Sequence, residues 1–87
     1  MNEAKHVLVI ARDDKVEALR MATGLTLLDD QIKVAVFGEL DESDDEVQLQ
    51  LESLDFADVP VDRLAANAAG CQSLAEMIKT SDTVFIV

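Results

Sequence analysis

The chain has 87 residues, of which 49% are hydrophobic, and a formal net charge of −11 from 18 acidic and 7 basic residues. This length predicts one domain, and the hydrophobic fraction is too high for a disordered chain. Nucleic acids and anionic membranes attract basic surfaces, so this charge excludes both as expected partners.

The start of the chain and its cysteine content bear on localisation. Residues 1–5 are polar and lack the apolar core of a signal peptide. No apolar run approaches the roughly 20 residues of a membrane span. The single cysteine excludes an internal disulfide. Together these features predict a cytoplasmic protein.

The first half of the chain alternates between strand and helix patterns. Residues 7–11 form a continuous apolar run, typical of a strand buried on both faces. Asp14 with Glu17 resembles a helix N-cap and predicts a helix to about Asp29. One face of this helix carries Ala18, Met21, Ala22, Leu25 and Leu28, and a second arc carries Val16, Leu19 and Leu27. A second strand is predicted over residues 33–38, a run that ends in a glycine.

The second half continues this alternation. Ser43 and Glu46 form a capping box, which predicts a helix that begins there and ends before Pro60. Its apolar residues lie on two sides: Val47, Leu51 and Leu54 on one, and Leu49 and Phe56 on the other.

A third strand is predicted over residues 61–65 and a last strand over residues 83–87. Between them, a second capping box at Ser73 and Glu76 opens a short helix that runs to about Thr80. The pattern predicts a small three-layer α/β/α domain with a mostly parallel sheet of about four strands.

Ligands of open parallel sheets bind where the strands end, and here acidic residues occupy that edge. Arg12, Asp13 and Asp14 follow the first strand, and residues 39–45 form an acidic loop. The first loop lacks the glycines of a dinucleotide or phosphate loop, and its carboxylates would repel phosphate. We therefore predict no cofactor and interpret Asp13 and Asp14 as capping residues.

Two other acidic-site hypotheses are weighed against the sequence. A phosphorylation receiver needs an Asp at the end of the third strand, where this chain has Leu64 and Ala65. Residues 41–45 with Glu52 partly fit a calcium loop, but Glu46 stands where the sharp turn requires glycine. His6, the only histidine, matches no metal spacing and is interpreted as a surface residue. No metal site is predicted.

Cys71 is the candidate nucleophile, placed just ahead of the helix predicted from Ser73. No Lys, Arg or His is adjacent in sequence, and a lone cysteine usually only packs. We predict no catalytic residue, with Cys71 as the candidate should one exist.

Three segments resemble the DsrE-like family of small sulfur-relay proteins. Residues 17–27 resemble its first helix, residues 34–38 its second strand and glycine, and residues 73–85 its closing helix and strand. The resemblance implies a parallel-sheet α/β fold, homo- or hetero-oligomers of related subunits and, in some members, a cysteine that carries persulfide sulfur.

The family's cysteine position does not carry over. The corresponding middle segment, residues 59–67, holds no cysteine, and Cys71 comes later. The chain thus resembles a shortened, non-catalytic member, which implies an accessory role in intracellular sulfur relay. Two alternatives stay open: a sulfur carrier that uses a Cys71 persulfide, and a small-ligand or metal-binding module unrelated to sulfur.

Surplus apolar residues on the two long helices predict self-association or binding to a related subunit. A helix that covers a sheet needs one apolar stripe, and these helices carry more. The interface candidates are Val16, Leu19, Leu27, Leu49 and Phe56.

Overall fold

The computed structural model describes residues 5–27 and 30–87, in which four strands and three helices alternate. The elements are β1 (His6–Ala11), α1 (Lys15–Leu25), β2 (Gln31–Phe37), α2 (Asp45–Phe56), β3 (Val61–Leu64), α3 (Ala68–Lys79) and β4 (Thr83–Ile86). The predicted helical residues Leu28 and Asp29 lie outside the described ranges, as do residues 1–4 of the predicted polar start.

The strands form one parallel sheet in the order β3-β2-β1-β4. β1 pairs with β2 from His6 opposite Gln31 to Ala11 opposite Val36. The chain steps in one direction from β1 to β3 and then returns past β1 to β4. Because crossovers share one hand, the return helix α3 lies on the other face from α1 and α2. The predicted α/β/α sheet fold is confirmed.

The face under α1 and α2 holds the larger part of the core. Alternate residues of β1 and β2 point into it, as the two-residue repeat of a strand requires. Its buried members are Val7, Val9, Ala11, Ile32, Val34 and Val36 from the sheet, with Ala18, Leu19, Ala22, Val47 and Leu54 from the helices.

The face under α3 holds a much smaller core. Its buried residues are Leu8, Ile10 and Ala35, against which Leu74 and Met77 of α3 are only partly buried. Gly70 is the buried residue of α3. Because one helix covers this face, much of the surface near β4 stays open to solvent.

α1 ends earlier than predicted and buries a residue of its second arc. The helix ends at Leu25, and in its last turn the Thr26 hydroxyl donates to the Thr23 carbonyl at 2.6 Å. Leu19 is fully buried and Val16 packs against the same core. α1 contacts both the sheet and α2, so it needs a broader apolar face than one stripe. The prediction of an interface residue is therefore wrong for Leu19, which has no exposed surface. Val16 is only partly exposed.

α2 has the predicted apolar face but a different cap. Val47 and Leu54 are buried and Leu51 is partly buried, as predicted. The N-cap is Asp44, whose carboxylate accepts from the backbone N–H of Glu46 at 2.8 Å and of Val47 at 3.4 Å. Ser43, the predicted cap, instead donates its hydroxyl to Asp41.

α3 begins earlier than predicted, at Ala68 rather than near Ser73. Asn67 caps it, and its side-chain oxygen accepts from the Gly70 N–H at 2.9 Å. The predicted loop at residues 67–70 is thus the cap and first turn of the helix. Cys71 lies within α3 rather than ahead of it.

Candidate functional site

An open cleft of about 550 Å³ lies at the carboxyl edge of the sheet, between the loops that follow β1 and β2. This is the edge where ligands of parallel sheets bind. Its charged lining consists of Asp13, Asp14, Lys15, Glu39, Asp41 and Asp44. With five carboxylates and one amine, the cleft repels anions and attracts cations.

The carboxylates after β1 take part in local structure. The Asp14 carboxylate caps α1 by accepting from the Glu17 N–H at 3.1 Å, as predicted. Asp13 does not cap; it pairs with Arg12 at 3.0 Å, where both side chains are largely exposed. Lys15 Nζ donates to the Arg12 carbonyl at 2.9 Å and ties the loop to α1.

The carboxylates after β2 are also engaged. Hydrogen bonds from the Ser43 hydroxyl and then from its backbone N–H lower the pKa of Asp41. Asp44 caps α2, and Glu42 pairs with Arg63 across to β3. Within residues 5–27 and 30–87, no group of three or more His, Cys, Asp or Glu side chains is arranged to hold a metal ion.

A second cleft of about 520 Å³ lies at the opposite, amino edge of the sheet. His6, Asp30, Lys33 and Asp58 contribute charged or titratable groups to it. His6 is exposed, as predicted, and its backbone N–H donates to Asp82 at 2.8 Å. The walls mix both signs of charge, and the C-termini of the helices face this edge.

Cys71 is exposed in the first part of α3. Its backbone N–H donates to the Asn67 carbonyl at 2.9 Å, which is the first full helical hydrogen bond after the cap. The thiol is thus accessible to a reagent, and neither cleft includes it in its lining.

Three of the five predicted interface residues are exposed. Leu27, Leu49 and Phe56 are 89%, 55% and 93% exposed. We call these residues the helical apolar surface. Leu27 follows the end of α1 and Phe56 ends α2, and the two helices pack side by side through Arg20 and Glu46, whose side chains meet at 2.7 Å.

The structure reveals a further apolar surface that sequence reasoning missed. Phe85 and Ile86 of β4 are 39% and 59% exposed, and Ile78 near the end of α3 is 40% exposed. We call Phe85, Ile86 and the free side of β4 the β4 edge. The available signal was the lack of any charged residue over residues 83–87, where β3 has Asp62 and Arg63.

Comparison of the chain with protein-family models, with curated proteins and with solved structures gives no match. Among the helices in the described part of the chain, none has the length and apolar character needed to cross a membrane.

Proposed function

We propose that this chain is a non-catalytic accessory subunit of intracellular sulfur relay, which acts by contacting a related subunit or a second copy. The observation that carries the contact is the helical apolar surface. The sulfur context is supported by the resemblance of three chain segments to DsrE-like proteins.

The energetics favour a covered rather than a solvated state for this surface. Scattered exposed apolar residues are ordinary, but Phe56 is 93% exposed and lies on the same side of α2 as Leu49. Burying one such side chain contributes roughly 1.5–3 kcal/mol before the cost of association.

Phe56→Asp tests this contact because Phe56 makes little use of the core. We expect the substitution to lower the average mass in sedimentation, or to abolish binding to a related subunit, with an unchanged circular dichroism spectrum. Asp55→Asn is the matched control, since Asp55 is an exposed neighbour and the change adds no charge to an apolar contact. An unaltered mass and unaltered subunit binding for Phe56→Asp would contradict the proposed contact.

A sulfur carrier that uses Cys71 is the second candidate, and the exposure of the thiol supports it. Mass spectrometry after incubation with a sulfur donor separates the two functions. The accessory role predicts no stoichiometric persulfide. Stoichiometric labelling that disappears in Cys71→Ser would favour the carrier and overturn the non-catalytic role.

A further inference from the structure

β4 has the side chains of a central strand and the position of an edge strand. Its residues are apolar on both faces: Val84 packs with the core under α3, and Val87, just beyond the strand, packs with the core under α1 and α2. Such two-sided apolar character is typical of strands covered on both faces and flanked on both sides. Yet β1 is its one neighbour in the described sheet, and Phe85 and Ile86 remain exposed.

The other edge strand of the sheet, β3, has the features by which natural proteins prevent a further strand from pairing with an edge. Charged side chains and proline protect an edge strand from added strands. β3 carries Asp62 and Arg63, both exposed, and Pro60 precedes it. β4 has neither device, so the two edges of the described sheet differ in how well they are protected against a further strand.

We infer that β4 pairs with β4 of a second copy of this chain, antiparallel about a two-fold axis, to form one continuous eight-stranded sheet. This closed arrangement uses both open edges and leaves the two protected β3 edges outside. A head-to-tail contact would instead propagate as a filament. The inference goes beyond the proposed function because it concerns a different surface. Pairing through β4 does not require that the helical apolar surface bind a partner.

The alternation of side chains limits the registers of this pairing, and the run of uncharged residues selects one of them. A two-fold axis perpendicular to the sheet keeps each face on its own side, so a residue can oppose only residues of the same parity. Centring the pair on Phe85 sets Phe85 opposite its copy, Val84 opposite Ile86, and Thr83 opposite Val87. This register pairs every uncharged residue over 83–87 and leaves Asp82 outside the apolar contact.

The distribution of charge favours the antiparallel arrangement. Five carboxylates and one lysine line the cleft at the carboxyl edge of the sheet, whereas the amino edge has fewer carboxylates, Asp30 and Asp58, together with Lys33. Antiparallel pairing points the two acidic edges in opposite directions, which reduces the repulsion between two copies of charge −11. It also brings Asp82, ahead of β4, to the end of the second copy where the Arg12 N–H donates to Val87.

Site-directed cross-linking tests the register. Phe85→Cys in a Cys71→Ser background places two thiols directly opposite, with Cβ atoms about 4.5–5.5 Å apart, near disulfide range. Thr83→Cys in the same background is the matched control, because four residues of strand separate its two copies by about 13 Å. Under mild oxidation at micromolar concentration we expect a covalent dimer from Phe85→Cys alone. No cross-link, or equal cross-linking of both variants, would overturn the inference.

Amide hydrogen exchange on the unmodified chain gives a test that does not depend on how the variants fold. The backbone N–H groups of β4 that point away from β1 should gain protection as concentration rises, and Ile86→Lys should remove that gain while β1 stays protected. Exchange of β4 that is independent of concentration would contradict the pairing. A loss confined to Phe56→Asp would assign association to the helical apolar surface instead.

Discussion

Gly70 lies where α3 packs closest to the end of β3. A Cβ atom at this position would lie 1.7 Å from the carbonyl oxygen of Ala65. This is a backbone atom, which cannot move away by a change of rotamer. Gly24 of α1 is different, since a Cβ atom there would meet nothing within 4 Å. The two helical glycines therefore have opposite roles: Gly70 permits a close approach, and Gly24 only loosens a helix.

These two glycines give a matched pair of alanine substitutions. Gly70→Ala should destabilise the fold by about 1–3 kcal/mol through overpacking. Gly24→Ala should stabilise it by about 0.5–1 kcal/mol, because alanine is the better helix former and no contact is lost. Urea denaturation of both variants checks this, and equal shifts of the two midpoints would contradict the close approach at Gly70.

Glu46 is the titratable residue whose ionisation supports the contact between α1 and α2. The Arg20 guanidinium, followed by the Gln50 amide, lowers the pKa of Glu46 below its ordinary value of 4.5. A lowered folded-state pKa adds stability above the unfolded pKa and loses it as pH falls through the folded pKa.

Glu46→Gln should therefore reduce stability at pH 7 and flatten its decline below about pH 4.5. Urea midpoints of the two proteins at neutral and acid pH measure this, and their difference should shrink as the medium is acidified. A difference that grows at low pH would contradict the sign assigned to the Glu46 pKa.

At the scale of elements, the cap of α1 and the ends of β1 and β4 could be predicted, and the starts of α2 and α3 could not. β1 and β4 fall within one residue of the predicted strands. The N-cap of α2 is Asp44, one residue after the predicted Ser43, and the N-cap of α3 is Asn67, which places the predicted cap Ser73 inside the helix. Several neighbouring residues can cap a helix, so local sequence alone does not choose among them.

The cap of α2 can be tested directly. Asp44→Ala should cost about 1 kcal/mol of unfolding free energy, because Asp44 accepts two backbone N–H groups. Ser43→Ala should cost distinctly less, since the Ser43 side chain bonds only to Asp41 in an exposed loop. Chemical denaturation compares the two variants. A larger loss of unfolding free energy for Ser43→Ala would contradict Asp44 as the cap and support the capping box that the sequence indicates.

The interface candidates show why the candidate site was only partly predictable. Helical spacing placed Leu19 on the second arc of α1, yet Leu19 is buried in the core under α1 and α2, and only the packing of the helices reveals this. Phe56 was predicted and is exposed. The β4 edge was not predicted, because an apolar run indicates a strand that is buried on both faces. The position of β4 at the edge depends on the strand order, which is a property of the whole sheet.

On the scale of the whole molecule, core and charge are unevenly distributed. The face under α1 and α2 carries most of the buried residues, and the carboxyl edge carries a dense group of carboxylates. A domain of this size buries only about 60% of its unfolded surface. Covering the β4 edge and the helical apolar surface would add apolar burial to that of the single chain.

The mass of the unmodified chain in solution tests this account most directly. Sedimentation equilibrium over a range of micromolar concentrations should give an average mass that rises to at least twice the 9.5 kDa of one chain. A mass that stays at 9.5 kDa at every concentration would contradict association through β4 and leave the exposed apolar residues without a second copy to cover them.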